Sequence, residues 1–228
     1  MSTREDGFKD SGKLTAWVKY FLYLQIAASL IAIVSGVMEY QLLSDFENGR
    51  YASQQEAIAD GEANDRRQQV VSIFALSVFI VSGFLILKWI HRANYNARQL
   101  GAQNMDFTPG WSIGWYFVPI ALLWKPYQAM KEIWKASHSP DDWTNVKVSG
   151  LLPWWWFLWL VNGFIGQIAF RFSMGAQELD QLMTVNILMQ IVDITGVPLS
   201  LITLAIIVRI YSAQTSCFAV NSRAVAES

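Results

Sequence analysis

The sequence predicts an all-α integral membrane protein: four transmembrane helices, with a re-entrant or interfacial segment and an amphipathic helix on the cytoplasmic side. Three observations predict it. Hydrophobic residues make up 53% of the 228 and charged residues only 15%, against the ~25% charged content of soluble domains. Four stretches approach the ~20 apolar residues that cross ~30 Å of hydrocarbon. The chain also carries 11 Trp, a residue that favours the membrane–water boundary because its ring is apolar and its N–H wants a wet partner.

Residues 1–16 read as a polar N-terminal arm of mixed charge. The first span is 17–38. It exceeds a signal-peptide core and no small-x-small cleavage pattern follows, so it is expected to stay as an anchor. Ala28, Ala32 and Gly36 form a small-residue ridge along it that lets another helix approach. Residues 39–69 are an acidic outer loop, in which Gln54–Arg66 suits a helical extension of the second span. That span, 70–90, is followed by good helix formers up to Gly101, a natural helix stop. Residues 91–150 form an insertion on the cytoplasmic side. The third span is 151–170, a short outer loop covers 171–183, the fourth span is 184–210 and the tail is 211–228.

Charge sets the orientation. Arg4, Lys9, Lys13 and Lys19 lie at the N-terminal side; Lys88, Arg92, Arg98, Lys125, Lys131, Lys135 and Lys147 lie between spans two and three; Arg209 and Arg223 lie at the end. Only Arg50, Arg66, Arg67 and Arg171 fall on the other side. The positive-inside bias therefore places both termini and the insertion in the cytoplasm. This decides how to read 111–124. As a helix it reaches only ~21 Å, short of a span, and Gly114 and Pro119 interrupt it. Spanning would carry Lys125, Lys131 and Lys135 outside. A dip into the inner leaflet is the reading kept, with a tilted fifth span as its alternative. Broken backbone at that depth must be covered by protein or water.

Residues 126–137 read as an amphipathic helix, with Pro126 tolerated in its first turn. Tyr127, Ala129, Met130, Ile133, Trp134 and Ala136 share one face; Gln128, Lys131, Glu132 and Lys135 share the other. Such a helix lies at a membrane surface with its lysines toward anionic headgroups, or packs its apolar face on other helices. Trp17, Trp89, Trp111, Trp124, Trp134, Trp154, Trp155 and Trp156 all fall at the expected inner boundary.

The runs HRANYNARQLG at 91–101 and FTPGWSIGWYFVPIALLWKPYQAMKEIWKAS at 107–137 resemble a bacterial family of integral membrane proteins known as domain of unknown function 4328. The resemblance covers roughly span two to the C-terminus. It implies a bacterial cytoplasmic-membrane location and supplies no activity, cofactor or substrate.

Two groups of residues could carry function. In span four, Asn186, Gln190, Asp193, Ser200 and Thr203 share one helical face. A membrane-embedded carboxylate costs ~2.5–3.5 kcal/mol unless paired or hydrated, so Asp193 marks a site or a polar seam. Gln25, Asn162 and Gln167 are available partners, and Pro198 frees the carbonyl of Ile194. On the cytoplasmic face stand Arg92, Asn96, Pro109, Trp111, Trp115, Pro119, Lys125, Pro126, Lys131 and Trp134.

No Gly-rich phosphate loop, GxSxG, His cluster or paired-carboxylate motif occurs, and the lone Cys217 excludes an internal disulfide and a thiolate cluster. No catalytic, metal or cofactor residue is assigned, and a net charge of −1 with no basic stripe points away from nucleic acid. The expected partners are the bilayer with its anionic headgroups and a second copy or another membrane protein. Three functions compete: a non-enzymatic scaffold or regulator acting at its Trp-rich cytoplasmic face; a small oligomeric transporter or channel subunit using Asp193; and a lipid-modifying enzyme.

Overall fold

A computed structural model describes residues 7–226; Arg4 of the charge count lies outside them. Among the described residues every regular element is a helix. Helix α1 is Gly12–Glu47, α2 is Gln54–Gln99, α3 is Trp111–Gly114, α4 is Lys125–His138, α5 is Leu151–Ser173 and α6 is Leu179–Ala226.

Three of these, α1, α2 and α6, are long and apolar enough to cross a membrane. Only 11% of the most apolar window of α2 is buried. Phe74, Leu76, Phe79, Ile80 and Phe84 all stand exposed, an apolar surface far beyond what soluble monomers tolerate. Helix α5 falls outside this group because Trp154, Trp155, Trp156, Trp159, Asn162 and Gln167 lower its hydropathy.

The α1–α2 turn shows why these helices begin and end where they do. Gly49 takes φ +62°, a conformation open to glycine. Ser53, three residues before Glu56, caps α2 by accepting the Glu56 N–H at 3.2 Å. Much of the segment read as an outer loop is thus helical, as the continuation of α1 and the start of α2.

Packing divides the chain into two units. One comprises the stretch ending at Tyr20, Ser82–Trp156 and the stretch from Ile202; the other comprises Phe21–Val81 and Phe157–Leu201. In the first, Trp89, Ile90, Ala93, Ala97, Ile133, Ala136, Leu152, Ile206, Ile207 and Ile210 are buried. Helix α2 stops there in a Schellman turn: the N–H of Ala102 reaches the Ala97 carbonyl, the N–H of Gly101 reaches that of Arg98, and Gly101 has φ +118°. In the second unit, Gly36 lets a neighbour close in, since a Cβ there would lie 3.0 Å from Gln190 Cγ.

Residues 111–124 form no continuous helix. After α3 come 3-10 turns at Trp115–Phe117 and Ala121–Leu123. Between them Val118 is extended (φ −94°, ψ 114°), as the residue before a proline is driven to be, and Ile120 takes φ +66°, which is costly for a β-branched side chain. A span built as one helix over this stretch is therefore absent.

Candidate functional site

In the first unit, α4 carries one wall of an open cleft of about 500 Å³, lined by Asp106, Phe107, Trp111, Trp115, Lys125, Gln128, Lys131, Glu132, Lys135 and Trp143. Four of the residues singled out from sequence meet here: Trp111, Trp115, Lys125 and Lys131. Trp111 and Trp115 lie one helical turn apart, with ring centroids 4.7 Å apart. The Lys125 ammonium sits 5.5 Å from the Phe107 ring centre and 5.8 Å from that of Trp115, within cation–π range. Lys135 donates to the Thr144 carbonyl at 2.8 Å. Lys131 is exposed and has no hydrogen bond or ion pair among the described residues.

One wall of the cleft is anchored by a buried carboxylate. Glu132 was expected on the polar face of its helix; instead it is buried. It accepts the backbone N–H of Asp106 and, at 3.1 Å, that of Phe107. Burial is the leading influence and raises its pKa above the ordinary value, and the Asp106 charge adds to this. The two backbone N–H donors and Arg98 pull the other way. Across the same loop, Arg98 donates to the carbonyls of Met105 and Phe107 at 2.9 and 2.7 Å, and Asn94 donates to Phe107 at 3.0 Å. Residues 105–107 are therefore gripped through their backbone groups from α2 and α4.

The other predicted residues of this face serve elsewhere. Asn96 is 0% exposed and reads the backbone of Lys9 in both directions, accepting its N–H at 3.1 Å and donating to its carbonyl at 2.9 Å. Arg92 donates to the Asp10 carbonyl at 3.3 Å, Lys9 lies over Tyr95 and Phe8 stacks on Phe218 at 4.4 Å. Residues 8–10 of the N-terminal arm thus occupy the surface around Arg92 and Asn96. Pro109 accepts from the Ser112 hydroxyl at 2.7 Å, Pro119 breaks the segment above, and Pro126 is buried in the first turn of α4. Trp134 is buried on the inward face of α4 and stacks on His138. Of the Trp residues placed at a boundary by sequence, Trp89, Trp134, Trp155 and Trp156 are core, while Trp17, Trp111, Trp124 and Trp154 are exposed. Two buried indoles find partners inside: Trp89 donates to Thr15 and Trp156 to the Leu123 carbonyl.

The stripe on α6 resolves into separate roles. In the second unit, Asn186 donates to the Gly36 carbonyl at 2.9 Å and to Glu39 at 2.7 Å, and Gln190 donates to Asn186 at 2.6 Å. Glu39 also accepts from Asn64, which accepts from Arg67; Arg67 and Gln68 bond to Ser35. This seam between α1, α2 and α6 is not visible in the sequence, because Glu39, Asn64 and Arg67 lie in the acidic outer segment and nothing in their spacing points to Asn186. Asp193 is half-buried and has no hydrogen bond or ion pair among the described residues. Asn162, offered as its partner, donates instead to the Val192 carbonyl and the Thr195 hydroxyl. Ser200 is buried in the same unit; Thr203 is buried in the other.

Among the described residues no three His, Cys, Asp or Glu side chains stand together to hold a metal. The described residues form an all-helical fold with three membrane-length helices, bearing a basic, Trp-walled cleft. The chain belongs to the family known as domain of unknown function 4328, which matches residues 53–212. The match begins ahead of the resemblance read from sequence, at the capped start of α2. No curated protein and no solved structure matches the chain.

Proposed function

We propose that this protein is a non-enzymatic scaffold or regulator of the bacterial cytoplasmic membrane that holds the phosphate of a lipid headgroup in the α4 cleft. In this reading α5 is a fourth span, both termini face the cytoplasm, and residues 111–124 dip into the inner leaflet with α4 at its surface. The domain limits given above belong to this reading. The observation that carries the proposal is the convergence of Lys125, Lys131, Trp111 and Trp115 on one open cleft. Basic side chains near a membrane contribute ~1 kcal/mol each toward anionic lipid, and exposed Trp rings sit at headgroup level. A second copy or another membrane protein is the partner for the apolar helix faces.

Native mass spectrometry of the purified protein tests this. Phosphatidylglycerol should be retained by the wild type, and Lys125→Gln with Lys131→Gln should weaken it by roughly 30-fold, two lysines at ~1 kcal/mol each. Retention equal to wild type in the double variant refutes the site.

A second reading rests on Asp193, a carboxylate without a protein partner in a membrane-length helix. In an oligomeric transporter or channel subunit it would line a hydrated path. With Cys217 changed to Ser, a single cysteine at Ser200 should stay protected from a small charged thiol reagent in intact membranes if the α6 stripe is a dry seam. Rapid labelling, together with loss of flux in Asp193→Asn, would make transport the better account.

A further inference from the structure

The α4 cleft is not simply basic. Two of its five charged groups are engaged: Lys135 on the Thr144 carbonyl and Glu132 on the N–H groups of Asp106 and Phe107. The groups left to meet a ligand are the ammonium groups of Lys125 and Lys131 and the carboxylate of Asp106. That carboxylate is exposed and has no hydrogen bond or ion pair among the described residues. The backbone that carries it is held, since the Asp106 N–H is bonded to the buried Glu132 and the flanking Met105 and Phe107 carbonyls are gripped by Arg98 and Asn94.

A carboxylate carried on an anchored loop in the wall of a phosphate site repels a ligand carrying only negative charge. It favours one that brings a cation with it. Resting on the headgroup reading above, we infer that the cleft takes a phosphodiester bearing a primary amine, with the phosphate at Lys125 and Lys131 and the ammonium at Asp106. A primary ammonium has three N–H donors for a carboxylate, and a quaternary one has none. The selection is therefore for ethanolamine-type over choline-type and over uncharged-alcohol headgroups. The walls of Trp111, Trp115 and Phe107 suit the apolar glycerol and upper acyl atoms of a lipid. The same polar chemistry would also fit soluble glycerophosphoethanolamine.

The experiment is a native mass-spectrometry titration of the full-length protein in detergent, with phosphatidylethanolamine, phosphatidylglycerol and phosphatidylcholine compared at equal acyl chains. The expected result is about tenfold tighter binding of the ethanolamine lipid than of the other two. Asp106→Asn should abolish that preference and leave the glycerol lipid as well bound as before or better. Lys131→Gln should weaken all three. Equal binding of the ethanolamine and glycerol lipids by the wild type, unmoved by Asp106→Asn, overturns the inference while leaving the headgroup site standing. No phospholipid binding sensitive to Lys131→Gln overturns both. Millimolar glycerophosphoethanolamine decides the source: displacement of the lipid assigns the site to the soluble compound, and no displacement assigns it to the bilayer. Asp106 and Lys131 are both exposed, so their variants should fold; an unchanged melting temperature verifies this.

Discussion

Glu132→Ala is expected to lower stability by about 3 kcal/mol, the cost of removing a charged acceptor from two backbone donors, one of them in a buried residue. For a chain of this size that is ~6–12 °C in melting temperature, read by thermal denaturation in detergent. The loop at 105–107 would lose its α4 anchor, so headgroup retention should fall with it. Glu132→Gln keeps one acceptor oxygen but turns an amide N–H2 toward the second donor, and should lose roughly half as much. A pH series gives an independent reading. Because burial raises the folded pKa above 4.5, the part of the stability linked to protonation of Glu132 is fully present below 4.5 and is lost as pH rises through the elevated folded value, while its two backbone hydrogen bonds persist in the charged form. The stability of the wild type relative to Glu132→Gln should therefore decline as pH rises through that window. A flat difference would mean that burial does not govern this carboxyl.

Gln214→Ala is expected to cost about 2–4 kcal/mol. The side chain is 1% exposed and donates to the Ala93 carbonyl at 2.8 Å and the Ser137 hydroxyl at 2.9 Å, so one amide ties α6 to α2 and α4. Truncation leaves a cavity and a fully buried Ser137 hydroxyl short of a partner. Gln214→Leu fills most of the volume and isolates the hydrogen-bond part, about 1–2 kcal/mol. If Gln214→Ala melts within ~1 °C of wild type, the joint between these three helices does not depend on this residue.

Residue by residue, some of this architecture is legible in the sequence. Gly101 ends α2 because a Schellman turn needs positive φ there. Pro126 sits in the first turn of α4 where its missing N–H is harmless, and Pro119 forces Val118 out of helix. Each is a local rule acting on neighbours in sequence. The roles of Glu132 and Asn96 are not local. A helical wheel puts Glu132 with Lys131 and Lys135, and nothing in the sequence says that a loop 25 residues away presents two N–H groups to it. Asn96 has the spacing of a solvent-facing residue; its partner is Lys9, 87 positions earlier. The Trp residues divide for the same reason. Composition says they prefer a boundary, but only packing decides that Trp89 and Trp134 are core while Trp111 faces outward.

By itself, then, the sequence determined the helical class, its membrane-length apolar runs, the breaks at Gly and Pro, and the family, because hydropathy and backbone preference act over a few residues to one helix length. Tertiary structure alone decided which lysines remain open to a ligand, which carboxylate is buried, and which residues the N-terminal arm covers. Those outcomes depend on hydrogen bonds between groups far apart in the chain, such as Asn186 to Gly36 and Gln214 to Ala93, whose formation no periodicity records.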